Sequence, residues 1–129
     1  MLEYPALSEK DALMMSPLRL AYVGDAVHDL LVRTGLVLGG ESVHSMHGGA
    51  VREVNAQAQA QALARIEAML TEKEADVVRR GRNAHAHHGT PKRVRPGDYA
   101  KATGLEALLG FLYLTGRMDR LKMLYRAMQ

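Results

Sequence analysis

The sequence predicts an all-α fold built as one domain. No segment shows the strict alternation of apolar and polar residues that is typical of a half-buried strand. Several segments instead repeat apolar residues at helical spacing, between recognisable helix starts and stops. A length of 129 residues suits one domain with its own core, and we expect residues 1–129 to form it.

The first half of the chain is expected to hold one long helix between shorter elements. Residues 1–15 are predicted to form a short helix or loop that packs loosely. Ser16 followed by Pro17 is typical of a helix start, and this helix is expected to end near Gly35. Paired glycines then flank a short helix predicted over residues 42–47.

The second half is expected to hold four further helices. A long helix rich in Ala and Gln is predicted over residues 51–70. Thr71 and Glu74 form a capping-box pattern that opens the next helix. The remaining predicted segments are that helix over residues 75–82, a flexible basic loop over 82–98, a buried helix over 99–115 and a final amphipathic helix over 119–128.

Two apolar stretches each contain a single acid. Glu106 is the only charged residue in ATGLEALLGFLYL (102–114), and Asp25 is the only one in LAYVGDAV (20–27). A buried, unpaired carboxylate is costly, so it must be neutralised, find a partner or hold a cation. We therefore expect Asp25 and Glu106 to meet in space and to bind a divalent metal.

Both acids also have simpler interpretations. Glu106 could pair with an Arg or Lys of a neighbouring helix. Asp25 could accept a hydrogen bond from Tyr22 or His28. The Gly and Ala residues that flank Asp25 favour tight packing, which is compatible with either interpretation.

Positive charge is concentrated in one segment of the chain. The net charge is only +3, yet residues 79–101 contain seven basic residues and one acid, Asp98. Such asymmetry favours a polyanionic partner, although a solvated surface is the alternative. The seven basic residues are Arg79, Arg80, Arg82, Lys92, Arg93, Arg95 and Lys101.

Composition excludes several other classes. The chain has no cysteine, which excludes a disulfide scaffold and a thiolate metal site. It has no run of 18 apolar residues, and its acidic N-terminus differs from a signal peptide. We expect a cytoplasmic protein that does not associate with membranes.

The motifs around both acids resemble those of a known family. GDAV at 24–27, followed by LEALLGFLYL at 105–114, is similar to the catalytic domain of ribonuclease III. RGRNA at 80–84 and TPK at 90–92 lie between them, in the order and at the spacing of the Mini-ribonuclease III branch. The resemblance covers residues 18–121.

This resemblance implies an activity and its partners. It implies an all-α homodimer that cleaves double-stranded RNA with Mg²⁺, which Mn²⁺ can replace, and that lacks an appended double-stranded-RNA-binding domain. Asp25 and Glu106 match the catalytic, metal-binding acids of the family, and cleavage would leave 5′-phosphate and 3′-hydroxyl ends. The implied substrate is the precursor of large-subunit (23S) ribosomal RNA. The alternative is a non-catalytic module that binds double-stranded RNA or assists ribosome assembly.

The sequence departs from larger relatives at two positions. Those proteins have further acids one turn before each of the two described above, where this chain has Ala21 and Thr103. Neither side chain is a carboxylate, although Thr103 could bind a metal-held water. Because Mg²⁺ keeps several waters and takes ligands from substrate phosphates, two acids remain compatible with binding it.

The basic segment is expected to contact the RNA backbone. Double-stranded RNA is recognised mainly through its phosphates and 2′-hydroxyls. The residues predicted to make these contacts are Arg79, Arg80, Arg82, Asn83, Lys92, Arg93 and Arg95. His85, His87 and His88 lie in the basic loop, and His44 and His47 lie in the short helix. No acid or Cys pattern accompanies them, so over a transition-metal site we favour added RNA contacts from the three loop histidines.

Overall fold

A computed structural model describes residues 3–40, 42–46, 48, 55–85 and 94–129. These residues form helices and contain no strand, which confirms the predicted all-α class. No described helix combines the length and apolar character that a membrane crossing requires. The helices are α1 (Glu9–Met14), α2 (Pro17–Leu38), α3 (Ala56–Ile66), a 3₁₀ turn (Glu67–Met69), α4 (Glu72–His85), α5 (Pro96–Leu114) and α6 (Met118–Met128).

Helix α5 is the centre of the fold, as its sequence predicts. Every residue from 102 to 112 is buried except Glu106, which is partly exposed. Helices α2, α3 and α4 pack around it, and α6 covers one side. The surrounding helices provide its apolar contacts through side chains such as Leu20, Leu63 and Val77, each fully buried.

Helices α2 and α5 cross in direct backbone contact. A Cβ atom added at Gly24 would lie 1.6 Å from the carbonyl oxygen of Glu106, and one added at Gly110 would lie 1.9 Å from that of Leu20. Any side chain at either position would therefore have to push the helices apart. This contact sets the position of the residues beside the two glycines.

The short helix predicted near the start is present as α1, but residues 7–15 are held in place, contrary to the prediction of loose packing. Leu7 donates from its backbone N–H to the carbonyl of Leu114 at 2.8 Å. The guanidinium of Arg80 donates to the carbonyls of Leu13 at 2.7 Å and Met15 at 3.3 Å. The segment is therefore held by groups that are distant in sequence, which local patterns do not reveal.

Several helix ends differ from those predicted, among them the end of α2 and the start of α3. Helix α2 continues past Gly35 to Leu38, because an exposed glycine within a helix weakens it without ending it. Helix α3 begins at Ala56 rather than residue 51, since the extended backbone of Asn55 caps it and its side chain accepts from the N–H of Ala58 at 2.8 Å. Residues 43–46 are helical within the predicted 42–47 range, and residue 47 lies outside the described residues.

The predicted capping box is present, and the predicted basic loop is shorter than expected. Thr71 donates from its N–H to Glu74 at 2.9 Å, and Glu74 donates from its N–H to the Thr71 hydroxyl at 3.2 Å. Helix α4 extends through residue 85, and Pro96 opens α5 as its first helical residue. Both ends of the predicted 82–98 loop are therefore helical, and residues 86–93 lie outside the described residues.

We predict that Gly110→Ala destabilises the protein by at least about 2 kcal/mol, because the added methyl would overlap the Leu20 carbonyl. Urea unfolding followed by circular dichroism measures this. Gly35→Ala is the matched control: no atom lies within 4 Å of its added Cβ, so it should stabilise α2 by roughly 0.5–1 kcal/mol. Equal effects of the two substitutions would contradict the close crossing.

Candidate active site

The two predicted acids meet at the crossing of α2 and α5. Asp25 follows Gly24, whose backbone lies against Glu106, so the glycine contact brings the two carboxyl groups together. Their side chains share a hydrogen bond. Asp25 lies on the exposed edge of the crossing, whereas Glu106 is largely enclosed. The site is therefore a carboxyl pair with one open side.

Glu106 binds protons more tightly than an ordinary glutamate. Burial raises its pKa to about 8, assisted by the hydrogen bond to Asp25 and by the negative charge of that residue. Near neutral pH, the Glu106 carboxyl is therefore protonated in the metal-free protein and donates to Asp25. A cation that replaced this proton would relieve the repulsion between two carboxylates.

The simpler interpretations of the acids are not supported by the contacts. Among the described residues, no Lys or Arg forms an ion pair with Glu106. Tyr22 projects into solvent with 85% of its surface exposed. His28 is buried against Tyr125, and burial lowers its pKa. The hydrogen bond with Glu106 is thus the contact that accounts for the position of the Asp25 carboxyl group.

A third polar residue of the site, Gln59, was not predicted from the sequence. Its side chain hydrogen-bonds to Glu106 and is only 2% exposed. The sequence does contain a sign that Gln59 is buried. Gln59 lies four and seven residues before Leu63 and Ile66, a spacing that places all three side chains on the same face of α3. The alternating Ala and Gln residues of 56–62 obscure that spacing.

The two positions that lack acids are closed. Ala21 and Thr103 are each only 7% exposed. The hydroxyl of Thr103 donates to the carbonyl of Tyr99 at 3.0 Å within α5, so its proton is committed to the helix backbone. Asp25 and Glu106 are therefore the acidic groups that this site offers to a cation.

The donor set suits a hard divalent cation. Two carboxyl groups provide oxygen ligands, which Mg²⁺ and Mn²⁺ accept, and the open side leaves room for water and substrate oxygens. No cluster of three or more His, Cys, Asp or Glu residues occurs within the described ranges, so these residues offer no softer site. Of the five histidines, the described side chain of His44 is exposed, and the other four side chains lie outside the described residues.

Three of the predicted RNA-contacting residues line one cleft along α4. Arg79, Arg82 and Asn83 are exposed on α4 and border a cleft of about 340 Å³. The side chain of Arg82 crosses Gly104, two residues before Glu106. Arg79 is also paired with Asp76 one turn earlier. The structure thus gathers these three residues in one cleft, whose lining includes neither Asp25 nor Glu106.

The other predicted contacts are distributed differently. Arg80 faces the start of the chain, where its guanidinium holds backbone carbonyls, so those donors are already used. Arg95 is exposed and borders a second cleft with Asn55. Lys92 and Arg93 lie outside the described residues.

Comparisons with known proteins agree with this geometry. The family model for the Ribonuclease III domain matches residues 18–117. The chain is 47% identical over 117 residues to Mini-ribonuclease 3 of Thermoanaerobacter sp. (strain X514), covering 90% of this chain and 82% of the relative. It is 48% identical over 116 residues to Mini-ribonuclease 3 of Symbiobacterium thermophilum, with 89% and 88% covered.

A solved structure also shares the fold. A crystal structure of a protein from Fusobacterium nucleatum superposes with a TM-score of 0.80 at 27% identity, covering 88% of this chain and 90% of that one. The sequence match, the shared fold and the carboxyl pair lead to one assignment. The chain belongs to the ribonuclease III family of double-strand-specific endoribonucleases.

Proposed function

We propose that this protein uses Mg²⁺ to hydrolyse phosphodiester bonds of double-stranded RNA, leaving 5′-phosphate and 3′-hydroxyl ends, and that Mn²⁺ can replace Mg²⁺. The observation that carries the proposal is the hydrogen-bonded pair of Asp25 and Glu106 at the α2–α5 crossing. A carboxyl pair that repels a second negative charge and is open on one side is suited to hold a divalent cation.

Each acid has a distinct part in this proposal. Glu106 provides an enclosed ligand that cannot move far, because buried neighbours surround it on α5. Asp25 provides an exposed ligand that also reaches water at the open side and orients it. When bound, the cation supplies charge that offsets the developing charge on phosphate and makes water a better nucleophile. No nucleophilic side chain is required.

The RNA backbone is proposed to lie across the basic face of α4 as well as the carboxyl pair. Arg79, Arg82 and Asn83 offer exposed donors in one cleft, and the side chain of Arg82 packs against Gly104 of α5. Lys92, Arg93 and Arg95 extend the same charge along the sequence towards α5. Arg80 is left out of this surface because its donors hold the chain start.

Two copies are proposed to pair through α2. Tyr22, Leu30 and Val37 are 85%, 65% and 59% exposed, and their spacing places them on one side of the helix. Such an exposed apolar stripe favours a protein contact, and an isologous two-fold contact is the common arrangement. Asp25 lies at the edge of this stripe, so pairing would bring two acidic sites to one duplex.

The proposed substrate is a duplex within the precursor of large-subunit ribosomal RNA, which the family resemblance supports. On this proposal the enzyme acts in the cytoplasm, where that transcript is made. A basic surface that contacts phosphates recognises duplex shape rather than sequence. The choice of transcript must therefore depend on where its duplex segments are accessible.

Cleavage of a labelled RNA duplex tests the proposal most directly. With Mg²⁺, the wild-type protein should cut both strands, as a pair of sites requires, and leave 5′-phosphate ends. Asp25→Asn and Glu106→Gln should each reduce the cleavage rate by at least about 10³-fold, because each removes one of two charged ligands. Gel electrophoresis of both labelled strands measures this.

Controls separate catalysis from binding. Single-stranded RNA and double-stranded DNA should remain uncut, and chelator should stop the reaction. Circular dichroism should show that both variants are folded. If the wild-type protein binds the duplex but never cuts it with Mg²⁺ or Mn²⁺, it is a non-catalytic RNA-binding module and the proposed activity is wrong.

The raised pKa of Glu106 predicts an unusual pH dependence of stability without metal. Between its ordinary value near 4.5 and about 8, the folded state retains a proton that the unfolded state releases. The contribution of Glu106 to the free energy of unfolding should therefore fall as pH rises through this range, by at most about 1.4 kcal/mol per pH unit, and level off above pH 8.

Urea unfolding of wild-type and Glu106→Gln proteins in chelator, from pH 5 to 9, measures this contribution by difference. The amide keeps its hydrogen-bonding shape but does not titrate, so the variant should gain stability relative to the wild type as pH rises. Parallel stability curves for the two proteins would show that Glu106 is not protonated in the folded state.

The basic cleft predicts a specific salt dependence. Replacing Arg79 and Arg82 by Ala should weaken binding of duplex RNA in chelator and flatten the plot of log affinity against log salt by about one unit per lost phosphate contact. Filter binding between 50 and 300 mM salt measures this. Lys122→Ala, on the exposed side of α6, should leave the slope unchanged.

Arg80→Ala provides the contrasting case. It should lower stability, because the carbonyls of Leu13 and Met15 lose their donor, while the folded protein keeps the wild-type salt slope. A lower slope for Arg80→Ala, together with an unchanged slope for the Arg79 and Arg82 double variant, would place the RNA on a different face of α4.

A further inference from the structure

We infer that Gln59 is a positioning residue, whose buried side-chain amide holds the Glu106 carboxylate in the orientation that binds metal. This inference rests on the proposed function, because it assigns Glu106 to the metal. It adds a third residue, from a third helix, to the pair formed by Asp25 and Glu106.

The burial of Gln59 is unusual for its helix. The buried residues of α3 are otherwise apolar: Ala60, Ala62, Leu63 and Ile66. Gln59 is 2% exposed, whereas Gln57 and Gln61 on the same helix are exposed. Burying an amide costs free energy unless it is hydrogen-bonded. The polar contact at Glu106 accounts for a glutamine at this position in the core.

The contact joins two elements that pack directly. Helix α3 lies against α5. The Gln59 side chain then reaches Glu106 from the α3 side, while Asp25 reaches it from α2. Glu106 is thus held from two sides by groups of different chemistry.

An amide suits this task better than a charged group. Its N–H donates to a carboxylate oxygen without adding positive charge, so Glu106 keeps its full charge for a cation. A Lys or Arg in the same place would form an ion pair and compete with the metal. Residues that orient a metal-binding side chain typically change metal affinity by 10–100-fold when they are replaced.

The test is binding of Mn²⁺ to the full chain by calorimetry, at one fixed pH and without RNA. Gln59→Met keeps the volume of the side chain but removes the donor. Gln59→Asn keeps the donor but shortens its reach by one methylene. We expect both variants to bind Mn²⁺ 10–100-fold more weakly than wild type. Gln57→Met, an exposed glutamine of the same helix, should bind with wild-type affinity.

Cleavage assays add a second readout. Gln59→Met should require 10–100-fold more metal for half-maximal cleavage of duplex RNA, while duplex binding in chelator stays at the wild-type level. A purely structural role would instead lower the number of binding-competent molecules and leave the dissociation constant of the remainder unchanged. Either that result, or wild-type affinity in both variants, would overturn the inference.

Measurements on the wild-type protein distinguish a failure of this inference from a failure of the proposed function. If wild-type protein binds no Mn²⁺ and cuts no duplex, the metal-dependent activity is wrong, and the role of Gln59 is wrong with it. If wild-type protein binds Mn²⁺ and cuts duplex while the Gln59 variants match it, only the positioning role is wrong. Two variants of different polarity ensure that a folding failure in one leaves a folded protein to measure.

Discussion

The contact between the backbones of α2 and α5 determines where the two carboxyl groups of the candidate site meet. Gly24 and Gly110 leave no space for a side chain at the crossing, so the two helices approach as closely as their carbonyls allow. Asp25 and Glu106 are the residues beside that contact. Had larger residues separated the helices, two short acidic side chains would not share a hydrogen bond. Close packing and the position of the acids are therefore one structural requirement.

The same contact has an electrostatic cost. It places a glutamate among buried apolar neighbours and next to a second acid, and both effects favour the protonated form of Glu106. Within the described residues, no basic side chain offsets this repulsion, and the uncharged Gln59 is the group that hydrogen-bonds to Glu106 from α3. The arrangement is unfavourable for a stable core and favourable for a cation site, which is typical of functional positions.

How far the sequence predicts this site depends on how local each signal is. A single acid within an apolar run is conspicuous, so Asp25 and Glu106 were found, and capping and proline patterns located most helix starts. Gln59 was missed because three alternating glutamines look equivalent until the helical phase is fixed by Leu63 and Ile66. Arg80 holds the carbonyls of Leu13 and Met15, which are 67 and 65 residues away in the sequence. Local sequence patterns do not reveal contacts between residues so far apart.

The glycines and the acids at the crossing have different roles, and this difference affects how related sequences can diverge. The glycines are required by the close crossing, and a descendant that replaced either would lose stability and the short separation of the two acids. The acids are required by chemistry alone, and their loss would relieve repulsion rather than cause it. Drift can therefore remove catalysis without a structural penalty. A paralogue that keeps both glycines but neither acid would retain this fold without the activity. The glycine pair in a sequence would therefore indicate common descent, whereas the two acids would indicate activity.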